Sequence, residues 1–545
     1  MDNRGRVVEN RRLDSVGSWP SYLRCAILVI VAGFFSSGCK VGPDYTGPPC
    51  PAIGQCYPEA TSDEESVVNV IPDQGCSEDT PAVGGDGESI EVVPIGELGP
   101  ELANWWTALN DPVLNELVVC VVQQNPDLLL AAERIFESRA RRGTVASSLF
   151  PQIDTNTYFT HEKRPAGGLF SGSVRNWWSW STDLSWEIDV FGRLRRLLES
   201  SDADIGEKQE LYRDTLILLI AETATTYVEA RSHQEQMAII ASNIDIQKET
   251  VRLVTSRHDN DKADMLDVSQ AKGSLKGVEA GYPLSQILYR RSINRLSVLT
   301  GSPPGAIDAL MSDPQPIPDA PEYVTVGIPA ELLQRRPDVR GVERKLAAQT
   351  ARIGGAVGEL YPQFSITGSF GLAANEFGAL WNNRAIATGI TPAVRWNILN
   401  FGRYRCNVWV QESLQRQYTW EYENTVLRAA EEVDNALVSY KRGKERRDLL
   451  RESVDYYAEA VRLSQIKYQA GAVDLQRVLN SQESLLASQN LLVLNRTDVV
   501  RSFITLYRAL GGGWQIPVQQ IAAATLAPTI AEEQPEHLPP PAAEP

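Results

Sequence analysis

Several residue types that carry catalysis or metal binding are scarce in this sequence. Only four histidines occur among 545 residues, and no two of them have the spacing of zinc ligands on a helix. The seven cysteines include no C-x-x-C pair, and no segment reaches 18 consecutive apolar residues. The net charge is −17, and a field of that sign repels phosphate backbones. The sequence therefore favours neither a histidine-based zinc enzyme nor a nucleic-acid-binding protein.

The N-terminus has the pattern of an export signal. An apolar run at 25–35 follows a stretch with five arginines and ends in the small residues 36–38. This pattern predicts a signal peptide over 1–38. Cys39 comes directly after the small residues, as in a bacterial lipoprotein signal, although Ser36 stands where such signals usually have leucine. We expect cleavage before Cys39 and acylation of its thiol, and Lys40 at the next position favours the outer membrane.

Short motifs recur at a spacing of 210 or 211 residues. The recurring pairs are Pro126-Asp127 and Pro337-Asp338, Pro151-Gln152 and Pro362-Gln363, Val251-Arg252-Leu253 and Val461-Arg462-Leu463, and WEIDVFGRLR at 186–195 and WNILNFGRYR at 396–405. A spacing that stays constant along the chain indicates an internal duplication. We predict an α+β chain with repeat 1 over 101–305 and repeat 2 over 306–513. Each repeat is predicted to contain an opening helix, at about 113–147 in repeat 1 and 330–358 in repeat 2, followed by two strands and two long helices.

The predicted strands alternate between apolar and polar residues, so each has two chemically different faces. The expected strands are 152–160, 179–189, 364–372 and 390–398. Each is about ten residues long, which is the length of a tilted strand that crosses a bilayer. A soluble sandwich with one wet face would show the same alternation. The predicted export and the tryptophans near the strand ends favour the membrane.

The predicted long helices have a seven-residue period. It passes through Leu216, Thr223, Ala230, Met237, Ile244 and Val251 in repeat 1, and through Val426, Val433, Tyr440, Val454, Val461 and Tyr468 in repeat 2. A sustained heptad period predicts coiled-coil-like packing. The chain is expected to turn back at 259–262 in repeat 1 and at 470–472 in repeat 2, with return helices over 263–300 and 473–511.

Four strands are too few to close a barrel, for which about eight is the working minimum. Open strand edges are not tolerated in lipid. If the strands cross a membrane, several chains must therefore share one barrel: two chains would supply eight strands and three chains twelve. The long helices would then be shared in the same way and form a hollow helical cylinder.

Several motifs together resemble the TolC-like bacterial outer-membrane efflux proteins, and most of all the NodT-type lipoproteins that serve resistance-nodulation-division (RND) pumps. The matching stretches are GCKVGPDY at 38–45, Trp105-Trp106 with Asp111-Pro112, WEIDVFGR at 186–193, AETATTYVEAR at 221–231, IPAELLQRRPDVRGVER at 328–344 and YQAGAVDLQRVLNSQ at 468–482. The resemblance implies a homotrimer with a shared twelve-stranded outer-membrane β-barrel and a long periplasmic α-helical barrel. It also implies passive export of small toxic compounds, with no catalysis and no cofactor or metal.

The same resemblance implies the partners and the sites. An inner-membrane RND transporter would supply the energy, and a periplasmic adaptor would contact the hairpin tips, here Asp261, Lys262, Gly471 and Ala472. Outer-membrane lipid would surround the barrel. Helix ends close the periplasmic aperture in this family, and the matching residues are Asp264, Asp267, Asp474, Arg477 and Asn480. Arg477 and Asn480 stand where relatives often have acidic residues, which argues against a strongly acidic ring. Ordinary solvated helix faces are the alternative for these residues.

Two segments depart from the family. Residues 39–100 contain an acidic insertion with Cys50, Cys56 and Cys76, two of which could pair in an oxidising periplasm. Residues 514–545 are rich in proline and are expected to form a disordered tail. Cys120 and Cys406 lie in predicted helices and are expected to be buried apolar fillers.

Three other functions compete with an efflux duct. A duct for type I protein secretion would use the same fold, although the lipoprotein signal and GCKVGPDY favour the pump branch. A non-channel periplasmic coiled-coil lipoprotein would not need the alternating strands. An enzyme is the weakest alternative, because the sequence contains no nucleophile motif, metal cluster or cofactor loop.

Overall fold

The computed structural model describes residues 40–48, 68–70, 102–163, 174–322, 324–326 and 335–514. The signal peptide, Cys39, the three cysteines of the insertion and all of the tail after Trp514 lie outside these residues. The described part of the chain is mainly helical with one four-stranded sheet, which agrees with the predicted α+β class.

Seven α-helices and six strands make up the described fold. The helices are α1 (Pro112–Gln124), α2 (Pro126–Ser147), α3 (Arg193–Asp259), α4 (Met265–Leu299), α5 (Pro337–Gly358), α6 (Arg403–Gln469) and α7 (Leu475–Ala509). The strands are β1 (Val68–Val70), β2 (Gln152–Lys163), β3 (Val174–Ile188), β4 (Val324–Val326), β5 (Gln363–Ala374) and β6 (Ile386–Arg395). From α2 onwards the order helix, two strands and two long helices occurs twice.

The described residues fall into two compact units. The first takes its residues from 1–45, 142–201 and 349–413, and the second from 46–141, 202–348 and 414–545. The first unit contains the antiparallel sheet, whose strand order is β2-β3-β5-β6. The second contains the main hydrophobic core, where Trp105 stacks on Tyr507 and contacts Phe503 edge to face. It also contains the short parallel pair of β1 and β4.

The predicted heptad period is confirmed by burial. Five of the six predicted positions in α6 are buried, and the sixth, Val454, is half-buried. In α3 the positions from Leu216 to Ala230 are buried, and those from Met237 to Val251 are half-buried. The turns that end these helices also lie where the sequence places them.

Three expectations need correction. The single helix expected at 113–147 is broken at Asn125, whose side chain accepts hydrogen bonds from the amides of Asp127 and Leu128 and so begins a new helix. The last strand covers 386–395 and not 390–398, because its partner β5 begins at Gln363, which pairs with Arg395, so β5 has no further residue to pair with Trp396. Cys406 is exposed and Cys120 half-buried, so neither is a fully buried filler.

Candidate functional site

The two helix hairpins of the second unit end in turns of the same design. Asp261 and Gly471 follow the ends of α3 and α6 and have left-handed backbones, with φ of 56° and 77°. The next amide closes each turn: Lys262 N donates to Arg257 O and Ala472 N donates to Lys467 O, both at 2.8 Å. This pattern is a Schellman motif, in which glycine is the preferred left-handed residue. The four residues predicted at the tips are all exposed in these turns.

The return helices begin immediately after the turns, each with an aspartate at its N-cap. The Asp474 carboxylate accepts a hydrogen bond from the amide of Arg477 at 3.2 Å, whereas the Asp264 side chain makes no capping bond. Carboxylates at these positions also interact favourably with the positive end of the helix dipole. Part of the charge predicted at the aperture therefore stabilises the helix starts.

The remaining aperture residues lie within the first six residues of α4 and α7. Asp267 is half-buried in the first turn of α4, while Arg477 and Asn480 are exposed on α7. Asn480 Oδ1 accepts a hydrogen bond from Gln476 Nε2 at 2.7 Å. All five predicted residues thus stand at the hairpin ends, with acidic groups at the start of α4 and a mixture of charge at the start of α7.

A hydrophobic cluster joins the two hairpin ends, and we call it the tip cluster. Its buried members are Val254, Val268, Ala271, Tyr468, Leu475, Val478 and Leu479. The first three come from the α3–α4 hairpin and the others from the α6–α7 hairpin. The ends of the two hairpins are therefore packed against each other within one chain.

Arg257 and Tyr468 link the hairpins beside the tip cluster, although no sequence motif indicates this pair. The Arg257 guanidinium lies over the Tyr468 ring, with Cζ 4.6 Å from the ring centroid, and donates a hydrogen bond to the Tyr468 carbonyl. Burial raises the pKa of Tyr468, the Arg257 charge opposes this rise, and the Asp267 charge adds to it. The heptad period marks Tyr468 as a buried position, but nothing local in the sequence indicates that Arg257 contacts it.

The sheet of the first unit has an apolar and a polar face. Directly paired residues share a face: one row is Ile153, Leu184, Gly368 and Ile390, and the next row towards the helices is Trp186, Ile366 and Pro392. The adjacent row, on the opposite face, contains Asp154, Asp183 and Ser369. Ile390 is 81% exposed and Ile153 66% exposed. A sheet with large uncovered apolar residues on one face needs an apolar environment on that side.

No helix in the described ranges is long and apolar enough to cross a membrane. The fold matches those of solved outer-membrane channels. OprN is 29% identical with a TM-score of 0.75, and the match covers 88% of this chain and 100% of OprN. CmeC of Campylobacter jejuni, at 20% identity, has the same fold with a TM-score of 0.75 over 90% of this chain and 98% of CmeC. The class of protein is thus a TolC-like outer-membrane channel.

The family follows from the sequence comparisons. The model of the outer membrane efflux protein family matches residues 117–302 and 328–512, and the chain belongs to that family. The toluene efflux pump outer membrane protein TtgF of Pseudomonas putida is 28% identical over 504 residues, covering 90% of this chain and 97% of TtgF. Nodulation protein T of Rhizobium leguminosarum bv. trifolii is 29% identical over 88% of this chain and 96% of that protein.

These findings confirm the predicted family, function and location. The chain is an outer-membrane efflux channel protein that extends into the periplasm, and it belongs to a family of ducts and not of enzymes. Efflux channels of this kind work with an adaptor and an inner-membrane transporter.

Proposed function

We propose that three copies of this chain form a passive duct for small toxic compounds between the periplasm and the exterior. The observation that carries this proposal is the sheet of the first unit. One of its faces is apolar and exposed, and within the described residues no strand pairs with the outer edges of β2 and β6. Unpaired edges are costly in lipid, so strands from other copies must complete the sheet.

Three chains would supply twelve strands to a shared barrel, and the long helices would form the periplasmic helical barrel. The polar row with Asp154 and Asp183 would face the lumen, and the row with Ile153 and Ile390 the lipid. Such an alternation of lipid-facing and lumen-facing residues is typical of outer-membrane barrels.

Equivalent contacts in the two halves support the proposed repeats at 101–305 and 306–513. Trp186 donates its indole N–H to the Leu149 carbonyl at 3.0 Å, and Trp396 does the same to Leu360 at 3.1 Å. The tryptophans are 210 residues apart and the leucines 211. The Schellman turns at Asp261 and Gly471 are a second equivalent pair.

The exposed tips at Asp261, Lys262, Gly471 and Ala472 are the surface that we assign to a periplasmic adaptor, which would connect the duct to an inner-membrane RND transporter. Asp264, Asp267, Asp474, Arg477 and Asn480 would line the periplasmic aperture of the trimer. Three copies of each charge around one axis would set the ion preference. The names of relatives refer to toluene and antibiotics, and we extend them here to small toxic compounds in general.

The remaining proposals concern the ends of the chain. Residues 1–38 would be removed as a signal peptide, Cys39 would carry the acyl anchor, and 39–100 and 514–545 would form the lipidated N-terminal segment and the tail. A duct for type I protein secretion stays the second candidate. A coiled-coil scaffold is disfavoured by the family, which is one of efflux proteins.

The test is the mass of the purified protein in detergent together with its conductance in planar bilayers. A mass of three chains and a small, mostly closed conductance are expected. A monomer that never conducts would refute the trimeric duct. Deletion of the gene should sensitise cells to small toxic compounds, whereas loss of a secreted protein without sensitisation would favour type I secretion.

A further inference from the structure

A buried arginine at the start of α3 has no role in the proposed duct. The Arg196 side chain is 2% exposed, although arginine is rarely buried without partners. It lies in the first unit, eight residues after the end of β3. The free-energy cost of burying a guanidinium requires that its donors be satisfied.

Those donors are used largely by one short segment near the N-terminus. Nε donates to the Val41 carbonyl at 3.1 Å, and Nη2 donates to the Gly42 carbonyl at 3.2 Å and to Asp44 Oδ1 at 2.6 Å. Nη1 binds both carboxylate oxygens of Glu199 at 3.2 Å. The planar fork of an arginine suits such a convergent set of acceptors, and lysine cannot reproduce it.

The pocket also fits the segment by shape. Gly42 has a φ of +92°, and a Cβ added to it would lie 2.4 Å from the Cα of Gly354 in α5. A Cβ on Gly354 would in turn lie 2.8 Å from Cδ of Arg196. Gly42, Gly354 and the arginine stem are therefore packed so closely that no side chain fits between them.

Two more contacts hold the segment in place. The Val41 amide donates to the Phe191 carbonyl at 3.2 Å, and Lys40 Nζ is 3.0 Å from Glu199 Oε2. The bound segment thus begins at Lys40, the residue directly after Cys39 in the sequence.

We propose that Arg196, Glu199, Gly354 and the Phe191 carbonyl form a docking pocket for residues 40–44, and that this pocket fixes where an acyl group on Cys39 enters the membrane. The second half of this statement rests on the acylation put forward under the proposed function. An extended chain spans at most about 3.6 Å per residue, so an anchor two residues before Val41 emerges within about 7 Å of it. An acyl group on Cys39 would therefore enter near the Phe191 carbonyl that holds Val41, three residues after β3 ends.

This placement has a physical consequence for insertion. If β3 crosses the membrane, its end at Ile188 lies near a bilayer surface, and the acyl chains would enter the leaflet at that level. A docked anchor holds the protein at a set depth, whereas an anchor on a loose tether would add membrane affinity without setting depth.

The test is zero-length carbodiimide cross-linking of the purified full chain, read by peptide mass spectrometry. The Lys40–Glu199 ion pair should be captured as an amide in the natural protein. Arg196→Ala should lower this product about tenfold or more, because a hydrogen bond to a charged group contributes about 1.5–3 kcal/mol. The Lys345–Glu421 pair, with Nζ to Oε1 at 3.0 Å, is the internal control and should cross-link equally in every variant.

A second variant leaves all charges in place. Gly42→Ala should lower the Lys40–Glu199 product as strongly as Arg196→Ala, because its Cβ would collide with Gly354. Gly47→Ala is the matched control: Gly47 has a φ of +104°, but a Cβ there meets no atom within 4 Å. A Lys40–Glu199 product that persists unchanged in both Arg196→Ala and Gly42→Ala would overturn the docking pocket.

The mass of the N-terminal peptide in the same samples separates docking from acylation. An acylated peptide together with an Arg196-dependent cross-link supports both halves of the proposal. An Arg196-dependent cross-link on an unacylated peptide keeps the pocket and overturns the anchor. An acylated peptide with a cross-link yield that does not depend on Arg196 supports acylation and overturns the docking pocket.

Discussion

The Arg257 guanidinium lies against the ring of Tyr468 and donates a hydrogen bond to its carbonyl, and so connects the end of α3 to the end of α6. The tip cluster, with Val254 from one hairpin and Leu475 from the other, packs beside this pair. One cation therefore joins two hairpins whose ends would have to separate for an aperture at this position to widen.

Replacement of Arg257 by alanine is expected to favour the open state of the duct. The change removes a cation–π contact worth about 0.5–2 kcal/mol and a charged hydrogen bond worth about 1.5–3 kcal/mol. We expect the open fraction in planar bilayers to rise about tenfold or more. Arg252→Ala is the control, since Arg252 is exposed and pairs with Glu249 on its own helix. Equal conductance of both variants would contradict a closing role for Arg257.

Charge reversal at Arg477 should change the ion preference. Arg477→Asp would alter the charge of a trimeric ring by six, two per chain, and should shift the reversal potential in a salt gradient towards cation preference. The matched control is Arg462→Asp, at an exposed α6 residue paired with Glu459. An unchanged reversal potential would place Arg477 on an ordinary solvated face, away from the conducting path.

Replacing one glycine in each hairpin by alanine should change the stability of the hairpin ends in opposite directions. Gly471→Ala should lower tip stability by about 1 kcal/mol, because a left-handed backbone with a Cβ costs about that much. The nearest atom to this Cβ would be Arg257 Nη2 at 3.9 Å, so backbone strain is the only cost.

Gly273→Ala should instead raise stability by about 0.5–1 kcal/mol, since Gly273 is inside α4 and a Cβ there meets open space. Hydrogen exchange at the hairpin ends measures both changes. Two substitutions with the same sign would refute the assigned backbone conformations.

The surroundings of the Asp214 carboxyl predict that the stability of the protein depends on pH. It lines a cleft with Arg336, Asp338, Glu432 and Arg508. Burial and the Asp338 charge raise the pKa of Asp214 to about 6, against the lowering effect of Arg336 and Arg508. The folded chain therefore binds this proton more tightly than the unfolded chain does. The contribution of Asp214 becomes less favourable as pH rises from about 4 to about 6 and stays unfavourable above.

Asp214→Asn removes this ionisation. A change of one in the pKa corresponds to about 1.4 kcal/mol. The free energy of unfolding of the variant should therefore exceed that of the natural protein by up to about 3 kcal/mol at pH 7.5. The advantage should shrink to nothing below about pH 3, because the Asp214 carboxyl is then protonated in both the folded and the unfolded chain. Thermal unfolding at several pH values measures the difference. An advantage that does not vary with pH would mean that Asp214 titrates normally.

The helical part of the fold could be predicted closely because its signals are local. The heptad positions from Val426 to Tyr468 and the turn at Gly471 depend on periodicity and on one backbone preference, and both stand where the sequence places them. The break at Asn125 also has a local signal that the predicted single helix overlooked, since asparagine is a preferred N-cap and Pro126 suits the first position of a helix. The end of β6 was misplaced because a strand ends where its partner ends: Arg395 pairs with Gln363, the first residue of β5, and the alternating pattern of β6 alone does not show this limit.

The candidate site also contains residues that could be predicted from the sequence and contacts that could not. The proposed aperture residues Asp264 and Arg477 were named from the family resemblance, and the structure puts both at the hairpin ends. The Arg257–Tyr468 pair joins residues 211 apart, and no local pattern pairs an arginine with that carbonyl. The contacts of Arg196 with Val41 and Asp44 were out of reach for the same reason, because these two acceptors lie more than 150 residues earlier in the chain.

The sequence by itself determined the family, the order of elements and the two faces of each strand, because motifs, periodicity and alternation are carried by neighbouring residues. Only the tertiary structure decided which distant groups meet: Arg257 with Tyr468, Arg196 with the segment at Val41, and Asp214 with Arg336. Burial and electrostatic coupling depend on three-dimensional proximity, and a linear pattern does not contain the distances that decide them.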